Sequence, residues 1–415
     1  MIPLKIAVIG SGTAGLAASA FLMKDGHDVT LIERFSDPRP LGAGLMLQPT
    51  GLACLACLDL DQKAIAYGTK ILSLFGRSAN GCTVFDIDYR NLRPHFFGLG
   101  IHRGALFSIL HEEVLRLKIR IITNCEITDT RIEGDKRVLI NARGKDCGAY
   151  DLVVDASGTR SALRSKSPYI KLNKPYPYGA IWGVCEDANQ AFGGNSLQQR
   201  YDGAGIMMGA LAIGKRPSDQ KETLAFFWSL PTHLHQAWKD DGMDKWKSQV
   251  NNYWPELAPF IDQFKTPDDL TFAQYSDVIM KRWDDERIVF IGDAAHSTSP
   301  QLGQGANLGM MDALILSLSL KQTDNLQLAL SQYSKRRKSH THFYQYASRW
   351  LTPFFQSDSK FAAFVRDRSF GLLCKTPYVK TEMMKTLAGI KTGLFTHMNP
   401  GTLHRSYDLR SNQPL

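Results

Sequence analysis

Three glycines near the N-terminus have the spacing of a phosphate-binding loop. Gly10, Gly12 and Gly15 form the pattern G-x-G-x-x-G directly after the apolar run 6–9. The first glycine permits a tight turn, the second lets a pyrophosphate approach the backbone, and the third lets the next helix pack closely on the strand. Glu33 ends the following apolar run, where its carboxylate can accept a hydrogen bond from a ribose hydroxyl. The pattern predicts dinucleotide binding; the alternative is a glycine-rich turn in an unrelated α/β fold.

A second strand–loop–helix pattern lies far downstream. The apolar run 288–291 ends at Gly292 and Asp293, and a loop rich in Ser, Pro and Gly follows before a long stretch of helical periodicity. The helix N-terminus near Gly305 would offer unpaired N–H groups and a positive dipole, which suit an anion forming on a ring such as a reduced isoalloxazine. Asp293 is placed to accept from a ribityl or ribose hydroxyl. Two such sites indicate one long ligand.

A buried parallel sheet is needed to position these loops. The β-branched runs 6–9 and 288–291 are typical of strands that are covered on both faces. The residues after Gly15 have a helix-forming composition up to Asp25 and Gly26, which end the helix. The order strand, loop, helix, strand and terminal acid is the context that the glycine motif requires.

Together these segments resemble the class A flavoprotein aromatic hydroxylases, which are FAD-dependent monooxygenases. GDAAHSTSPQLGQGANLGMMDA, at 292–313, is similar to the family's second FAD motif, and IHRGAL, at 101–106, is similar to a third conserved segment. The resemblance spans most of the chain and is closest to ubiquinone-biosynthesis-type hydroxylases. With the glycine loop, it predicts these FAD contacts: Gly10, Gly12, Thr13, Ala14, Gly15, Glu33, Arg34, Arg103, Asp293, Pro300, Gly303, Gly305, Ala306 and Asn307.

The resemblance also implies the reaction. FAD would be tightly bound and NADH or NADPH would bind transiently. The enzyme would use dioxygen to hydroxylate an electron-rich, aromatic small molecule through a flavin hydroperoxide. No side-chain base can be assigned; the candidate cavity residues are Gln48, Arg200, Tyr201 and Pro300. The alternatives are a flavin-dependent reductase or dehydrogenase, a halogenase, or a non-catalytic carrier on the same fold. FFWSLP at 226–231 lacks the tryptophan motif expected of a halogenase.

The family's middle motif is altered in this chain. In DLVVDASGTRSALR, at 151–164, Gly158, Ser161 and Arg164 match, but Ser157 replaces the motif aspartate and Asp155 precedes it. We favour a local replacement that keeps the turn. The alternative is an altered use of the nicotinamide reductant, since this form resembles related flavin reductases and halogenases.

Composition excludes several other classes of function. The formal net charge is +9, yet the strongest basic run is only KRRK at 335–338, which disfavours nucleic-acid binding. Cys54 and Cys57 lack a second cysteine pair, and the H-x-H pairs lack a third ligand, so no metal site is expected. No signal peptide or transmembrane run is recognisable. Seven scattered cysteines favour a reducing, cytoplasmic location.

The predicted fold class is α/β, with a glutathione-reductase-type, Rossmann-like FAD-binding domain, an inserted antiparallel-sheet substrate domain and C-terminal helices. GAGIMMG, at 203–209, is predicted to be a hairpin between strands, because its glycine spacing is wrong for a nucleotide loop and no helix follows. The predicted limits are 1–75, 98–165 and 276–345 for the FAD domain, 76–97 and 166–275 for the substrate domain, and 346–415 for the C-terminal helical region.

The chain is predicted to be helical from about Gln327 to the end, and aromatic residues are dense between Tyr333 and Phe370. We interpret this region as a helical layer packed on the FAD domain. The alternative is a basic, aromatic surface for a membrane or a lipophilic substrate. Peripheral membrane contact therefore stays open, as does the choice between a monomer and a homodimer.

Overall fold

The computed structural model describes residues 2–38, 43–188, 192 and 194–403. Short apolar runs bounded by glycine and polar turns form its strands. These are β1 Lys5–Ile9, β2 Asp28–Ile32, β3 Gly44–Leu47, β4 Thr69–Ile71, β5 Ser73–Ser78, β6 Thr83–Asp88, β7 Gly98–His102, β8 Arg120–Ile122, β9 Ile127–Glu133, β10 Lys136–Asn141, β11 Asp146–Tyr150, β12 Leu152–Asp155, β13 Ile170–Glu186, β14 Ser196–Asp202, β15 Ile206–Lys215, β16 Glu222–Pro231, β17 Thr271–Met280, β18 Asp284–Asp285 and β19 Ile288–Phe290.

The helices alternate with strands in the first part of the chain and follow one another at its end. They are α1 Thr13–Lys24, α2 Pro49–Ala56, α3 Asp61–Tyr67, α4 Arg103–Arg116, α5 Ala162–Ser165, α6 His235–Asp241, α7 Met243–Tyr253, α8 Ala258–Ile261, α9 Asp293–His296, α10 Gly305–Leu320, α11 Leu326–Phe355, α12 Lys360–Lys375 and α13 Pro377–Leu387.

A six-stranded sheet in the order β18-β19-β12-β1-β2-β8 carries the two predicted nucleotide loops. β1 is parallel to both β2 and β12, and β12 is parallel to β19. The register aligns Ile9 with Asp155, and Asp155 with Phe290. The carboxyl ends of three strands therefore meet at one edge, where ligands bind in open α/β sheets.

The central helix α10 packs mainly against other helices. Its residues from Asn307 to Leu320 are all buried, as expected of a helix that is apolar on every side. It contacts α1, α2 and α11. A Cβ at Gly309 would lie 3.0 Å from the Cβ of Ala14, so the glycine allows α10 to approach α1 closely. The N-terminus of α10 is thereby fixed at the loop edge of the sheet.

A seven-stranded sheet in the order β17-β13-β16-β15-β14-β5-β6 forms the second layer. Its neighbours are antiparallel except for β14 and β5, which are parallel. The predicted hairpin at 203–209 is confirmed, because β14 and β15 pair from Asp202 and Ile206 outward. β5 spans the predicted limit between residues 75 and 76, and the domain limits remain predictions.

The C-terminal helices cover the side of both layers. α11 begins at an Asn325 cap, whose side chain accepts from the Leu328 amide, and α12 begins at a Ser359 cap of the same kind. The prediction of a continuously helical end is wrong beyond Leu387. Gly389 has a φ of +80°, and the chain continues irregularly with one bridge between Lys391 and His397. Residues 404–415 of the predicted helical region lie outside the described residues.

Candidate active site

The glycine loop after β1 leaves a space that no atom of the described residues fills. A Cβ at Gly10, whose φ is +98°, would lie 2.7 Å from the Ala156 carbonyl oxygen, and a Cβ at Gly15 would lie 1.9 Å from the Gly10 carbonyl oxygen. These two glycines are required by packing within the protein. A Cβ at Gly12 would meet nothing within 4 Å. Gly12 therefore leaves room beside the loop, and a pyrophosphate would fit there.

Glu33, the acid that follows β2, holds the glycine loop in place through hydrogen bonds. Glu33 is buried, and its Oε2 accepts hydrogen bonds from the Ser11 amide at 2.8 Å and the Ser11 hydroxyl at 2.7 Å. Its Oε1 accepts from the Phe35 amide at 3.0 Å. Glu33 therefore fixes the glycine loop, with lone-pair capacity left for a ribose hydroxyl. The Arg34 guanidinium lies over the Phe35 ring, 4.6 Å from its centre.

A cavity of about 1530 Å³ begins at this loop. Single-ligand pockets are usually about 300–1,000 Å³, so the cavity has room for a dinucleotide and a second molecule. The structure brings nine of the predicted cofactor residues to its wall: Gly12, Thr13, Ala14, Arg103, Asp293, Pro300, Gly303, Gly305 and Ala306. Gly10, Gly15, Glu33, Arg34 and Asn307 lie outside the lining.

Two residues of opposite charge line the cavity. Arg103 begins α4 and Asp293 begins α9, and both side chains are accessible from the cavity. Enclosure by protein lowers the pKa of Arg103, and the Asp293 carboxylate opposes that shift. Burial raises the pKa of the neighbouring Tyr275 to about 12, so its hydroxyl stays protonated. An arginine and an aspartate in this position can bind the phosphate and hydroxyl groups of one ligand.

The altered middle motif forms a closed turn at the end of β12. The Asp155 carboxylate is buried and accepts from the Ser157 amide at 2.9 Å, the Ser157 hydroxyl at 2.5 Å and the Ser161 hydroxyl at 2.5 Å. Burial raises the pKa of Asp155, and these donors partly offset the effect. Arg164 is also buried and donates to the carbonyl oxygens of Ala294 at 3.1 Å and Thr159 at 2.5 Å. These contacts support the interpretation that Ser157 preserves the turn.

Asn307 positions the loop before α10 and does not line the cavity. Its Oδ1 accepts from the Gln48 amide at 2.9 Å, and its Nδ2 donates to the carbonyl oxygens of Met46 at 3.3 Å and Gly303 at 3.1 Å. Gln48 itself is fully buried, and its Oε1 accepts from the Tyr89 hydroxyl at 2.6 Å. Both residues therefore tie the β3–α2 connection to the loop that carries Gly303.

A buried ionic cluster behind the cavity was not foreseen from the sequence. Asp312 is fully buried; its Oδ2 accepts from the Gly292 amide at 2.7 Å and lies 2.5 Å from His296 Nε2. Its Oδ1 accepts from Arg337 Nε at 2.7 Å, and Arg337 donates to His340 Nδ1. His340 Nε2 donates to the carbonyl oxygen of Gly389 at 2.8 Å. One feature of the sequence could have indicated this cluster: Asp312 is the single acidic residue within the apolar run that forms α10.

The charges of this cluster follow from the contacts. Burial raises the pKa of Asp312, but His296 and Arg337 outweigh it and hold the pKa at about 2. Burial and the adjacent Arg337 cation lower the pKa of His340 to about 3, so His340 is neutral and accepts from Arg337 at Nδ1. The carboxylate thus fixes Gly292 and His296, the two ends of the segment that carries Asp293.

The match to known families agrees with this geometry. The sequence matches the family described as FAD binding domain over residues 4–343. The chain belongs to this family. The predicted resemblance to class A flavoprotein hydroxylases is confirmed, with FAD as the cofactor and an FAD-dependent monooxygenase as the type of enzyme.

Similar proteins align with almost the whole chain. The 6-methylpretetramide 4-monooxygenase of Streptomyces rimosus is 25% identical over 425 residues, which cover 96% of this chain and 96% of that protein. The FAD-dependent urate hydroxylase of Klebsiella pneumoniae is 23% identical and covers 80% of this chain and 86% of its own. The structure of Klebsiella pneumoniae HpxO complexed with FAD and uric acid has a TM-score of 0.77 at 20% identity, and covers 93% of this chain and 97% of its own. The structural similarity shows the fold.

In this flavoprotein, the far half of the cavity is lined mainly by apolar side chains. Tyr201 and Pro300, two of the predicted cavity residues, are part of the wall. Gln48 lies behind it, and Arg200 lies elsewhere, over the Trp254 ring at 4.6 Å and in a small depression with Glu256. The sheet and the helical layer contribute the following apolar residues: Leu74, Phe85, Trp182, Leu197, Met207, Phe227, Phe343, Leu351, Phe355, Phe370 and Leu387.

The described residues contain neither a cluster of metal ligands nor a membrane-spanning helix. No group of three or more His, Cys, Asp or Glu side chains in them is arranged to hold a metal ion. Nor does any helix in them combine the length and the apolar character that crossing a bilayer requires.

Proposed function

We propose that this FAD-dependent monooxygenase hydroxylates an apolar, electron-rich aromatic molecule larger than a single ring, with NADH or NADPH as reductant and dioxygen as oxidant. One observation carries the proposal: a single cavity continues from Gly12 and Asp293 into a wall of aromatic and aliphatic side chains. That wall offers dispersion contacts and few polar partners, so it favours a substrate that is itself largely apolar.

The protein positions the two ligands. FAD supplies the oxidation chemistry when it is bound, and the chain's own residues hold and enclose it. Arg103 and Asp293 would hold the polar part of the cofactor, and Gly12 would leave room for the pyrophosphate. The N–H groups and dipole at the start of α10, near Gly305 and Ala306, stabilise negative charge on a ring placed there. The apolar wall keeps water out.

Two glutamines are placed to orient the substrate. Gln304 and Gln356 line the cavity and are 4% exposed. Gln304 Nε2 donates to the Leu387 carbonyl oxygen at 2.9 Å, but its Oε1 has no hydrogen-bond partner among the described residues. Gln356 Oε1 accepts from Gln301 at 2.8 Å, but its Nε2 has none. A buried polar atom without a partner is costly, so a substrate with one donor and one acceptor would satisfy both.

The relatives support an aromatic substrate. Their names refer to 6-methylpretetramide, urate and 2-heptyl-3-hydroxy-4(1H)-quinolone, the last at 26% identity over 75% of this chain. We also propose a reducing compartment, as in the cytoplasm, which the seven free cysteines support.

A substrate screen tests the proposal. Multi-ring and alkyl-substituted phenols and quinolones would be supplied with NADH or NADPH and isotopically labelled dioxygen. We expect substrate-stimulated NAD(P)H oxidation and one labelled oxygen atom per product molecule. Rapid NAD(P)H oxidation with an organic acceptor and no incorporation of label would instead identify a reductase. Gln356→Leu is the matched variant, because it removes a polar anchor and keeps the volume of the side chain.

A further inference from the structure

Large apolar side chains are exposed mainly at the C-terminal end of the described chain. Fifteen large hydrophobic residues are exposed among the described residues, and nine of them fall between 346 and 395. We call these nine the C-terminal apolar patch: Tyr346, Trp350, Phe361, Phe364, Leu372, Leu373, Tyr378, Leu394 and Phe395. Scattered exposed hydrophobic residues are ordinary, but a concentration of this kind marks an interaction surface.

The helix α12 presents one continuous face of the patch. Phe361, Phe364, Arg368, Leu372 and Lys375 are exposed and follow one another at spacings of three or four residues, which places them along one side of a helix. The Arg368 guanidinium lies over the Phe364 ring, 5.2 Å from its centre. An exposed face with aromatic, aliphatic and basic side chains is typical of a helix lying at a lipid surface.

The opposite face of α12 is held by the protein. Ala363, Arg366, Phe370 and Cys374 are buried. Cys374 Sγ lies 3.8 Å from the carbonyl oxygen of Val84 in β6. The outward direction of the aromatic face is therefore fixed by packing on the seven-stranded sheet.

The charges beside the patch are unbalanced in favour of cations. Lys360, Arg368 and Lys375 are exposed, and within the described residues none of them forms an ion pair with a carboxylate. Of the nearby acids, Asp367 pairs with Arg366 at 2.7 Å, and Glu382 pairs with Lys385 at 2.8 Å and with Lys391. The third, Asp358, accepts from the Tyr178 hydroxyl at 2.6 Å. The whole chain carries a formal charge of +9. Free cations among aromatic side chains complement an anionic lipid surface.

Part of the patch also lines the active-site cavity. Tyr346, Trp350, Tyr378 and Leu394 line the cavity and are nevertheless 62–75% exposed, which places them at its mouth. We propose that the C-terminal apolar patch docks the enzyme on an anionic membrane surface, with the mouth of the cavity against the lipid. In this arrangement an apolar substrate could enter the cavity directly from the bilayer, and that part of the proposal rests on the proposed function. The docking on the membrane does not depend on the proposed function.

Flotation with lipid vesicles tests the docking on the full-length, FAD-loaded protein. We expect it to float with vesicles of equal parts phosphatidylcholine and phosphatidylglycerol, to bind pure phosphatidylcholine weakly, and to be released by added salt. The triple variant Phe361→Ser, Phe364→Ser, Leu372→Ser should bind the anionic vesicles roughly tenfold or more weakly, because three apolar side chains no longer enter the lipid.

The matched control changes three leucines exposed elsewhere, Leu115→Ser, Leu234→Ser and Leu328→Ser, and should float like the wild type. Flavin absorbance confirms that each variant is folded. Equal binding by the two triple variants, or no flotation of the wild type, would overturn the proposal. A wild-type dimer that becomes monomeric in the patch variant, without vesicle binding, would assign the surface to a second copy of the chain. Vesicle binding without hydroxylation of any substrate would refute only the proposed function.

Discussion

Replacing Asp312 by Asn should destabilise the flavin site, although the side chain lies behind the cavity and does not line it. The variant keeps the shape of the side chain and removes the charge that faces His296 and Arg337. The interactions of Asp312 lower its pKa from 3.8 to about 2, and at about 1.4 kcal/mol per unit this corresponds to about 2 kcal/mol of stability. Breaking a buried ion pair by removing one partner typically costs about 3–5 kcal/mol, since the other charge stays buried. Arg337, which is 1% exposed, would be that charge.

Thermal unfolding measures this loss. Unfolding entropies of about 2.1 cal/mol/K per residue convert about 2–5 kcal/mol into a fall of about 2–6 °C for a chain of 415 residues. Release of FAD, followed by flavin fluorescence, should begin at a correspondingly lower temperature, because the segment from Gly292 to His296 loses its anchor. Asp146→Asn, at an exposed ion pair with Arg131, is the control and should leave the melting temperature unchanged. If the Asp312→Asn variant has the same melting temperature as the Asp146→Asn control, the reasoning is refuted.

The pH dependence has a definite sign. The pKa of Asp312 is lower in the folded protein than in the unfolded chain, so its contribution to stability is complete above about pH 4. The contribution is lost as the pH falls from 3.8 towards about 2. Acid unfolding of the wild type should therefore include a component below pH 4 that the Asn variant lacks. Identical acid-unfolding curves for the two proteins would contradict this assignment.

Four further substitutions, at three positions, test the cofactor site, the middle motif and the substrate anchor. Gly12→Val should leave the melting temperature of the FAD-free protein unchanged, because the valine side chain enters only the space proposed for the ligand. It should weaken FAD binding by about tenfold to a hundredfold. If fluorescence titration gives the same FAD affinity for the variant and the wild type, no pyrophosphate binds beside residue 12. Ser157→Asp should lower the melting temperature, because it places a second carboxylate next to the buried Asp155 carboxylate. Ser157→Ala should not change the rate of NAD(P)H oxidation. If the Ser157→Ala enzyme oxidises NAD(P)H more slowly than the wild type, Ser157 takes part in the use of the reductant. Gln356→Leu should raise the KM for the substrate about tenfold while FAD occupancy stays full, and an unchanged KM would remove Gln356 as an anchor.

The elements that carry the predicted cofactor residues could be predicted from the sequence, because they depend on local patterns. The strand, glycine loop and helix from β1 through α1 lie within one short segment, and their residue types specify the turn directly. The start of α10 at Gly305 was predicted to the residue from the end of a glycine-rich loop and the onset of helical periodicity. Such features require no knowledge of distant contacts.

The substrate half could not be predicted because it is built from distant contacts. Arg200 and Tyr201 are adjacent in β14, yet only Tyr201 reaches the cavity, since neighbouring side chains of a strand point to opposite faces. Fixing which face is buried requires the pairing of β14 with β5, residues more than a hundred positions apart. The ion pair between Asp312 and Arg337 could not be predicted for the same reason. The periodicity of a helix indicates that an acid is buried, but it does not indicate which residue pairs with that acid.

The parallel register of Ile9, Asp155 and Phe290 has a consequence for how the enzyme matures. Three loops that are far apart in the sequence must be brought together before the flavin has a complete site, and contacts of such high sequence separation form slowly. FAD should therefore bind late in folding and stabilise only the finished sheet, by mass action. The yellow colour of a preparation would then report the fraction of molecules in which the C-terminal part of the sheet has joined the N-terminal part, and cellular flavin supply would set how much of the newly made chain survives proteolysis.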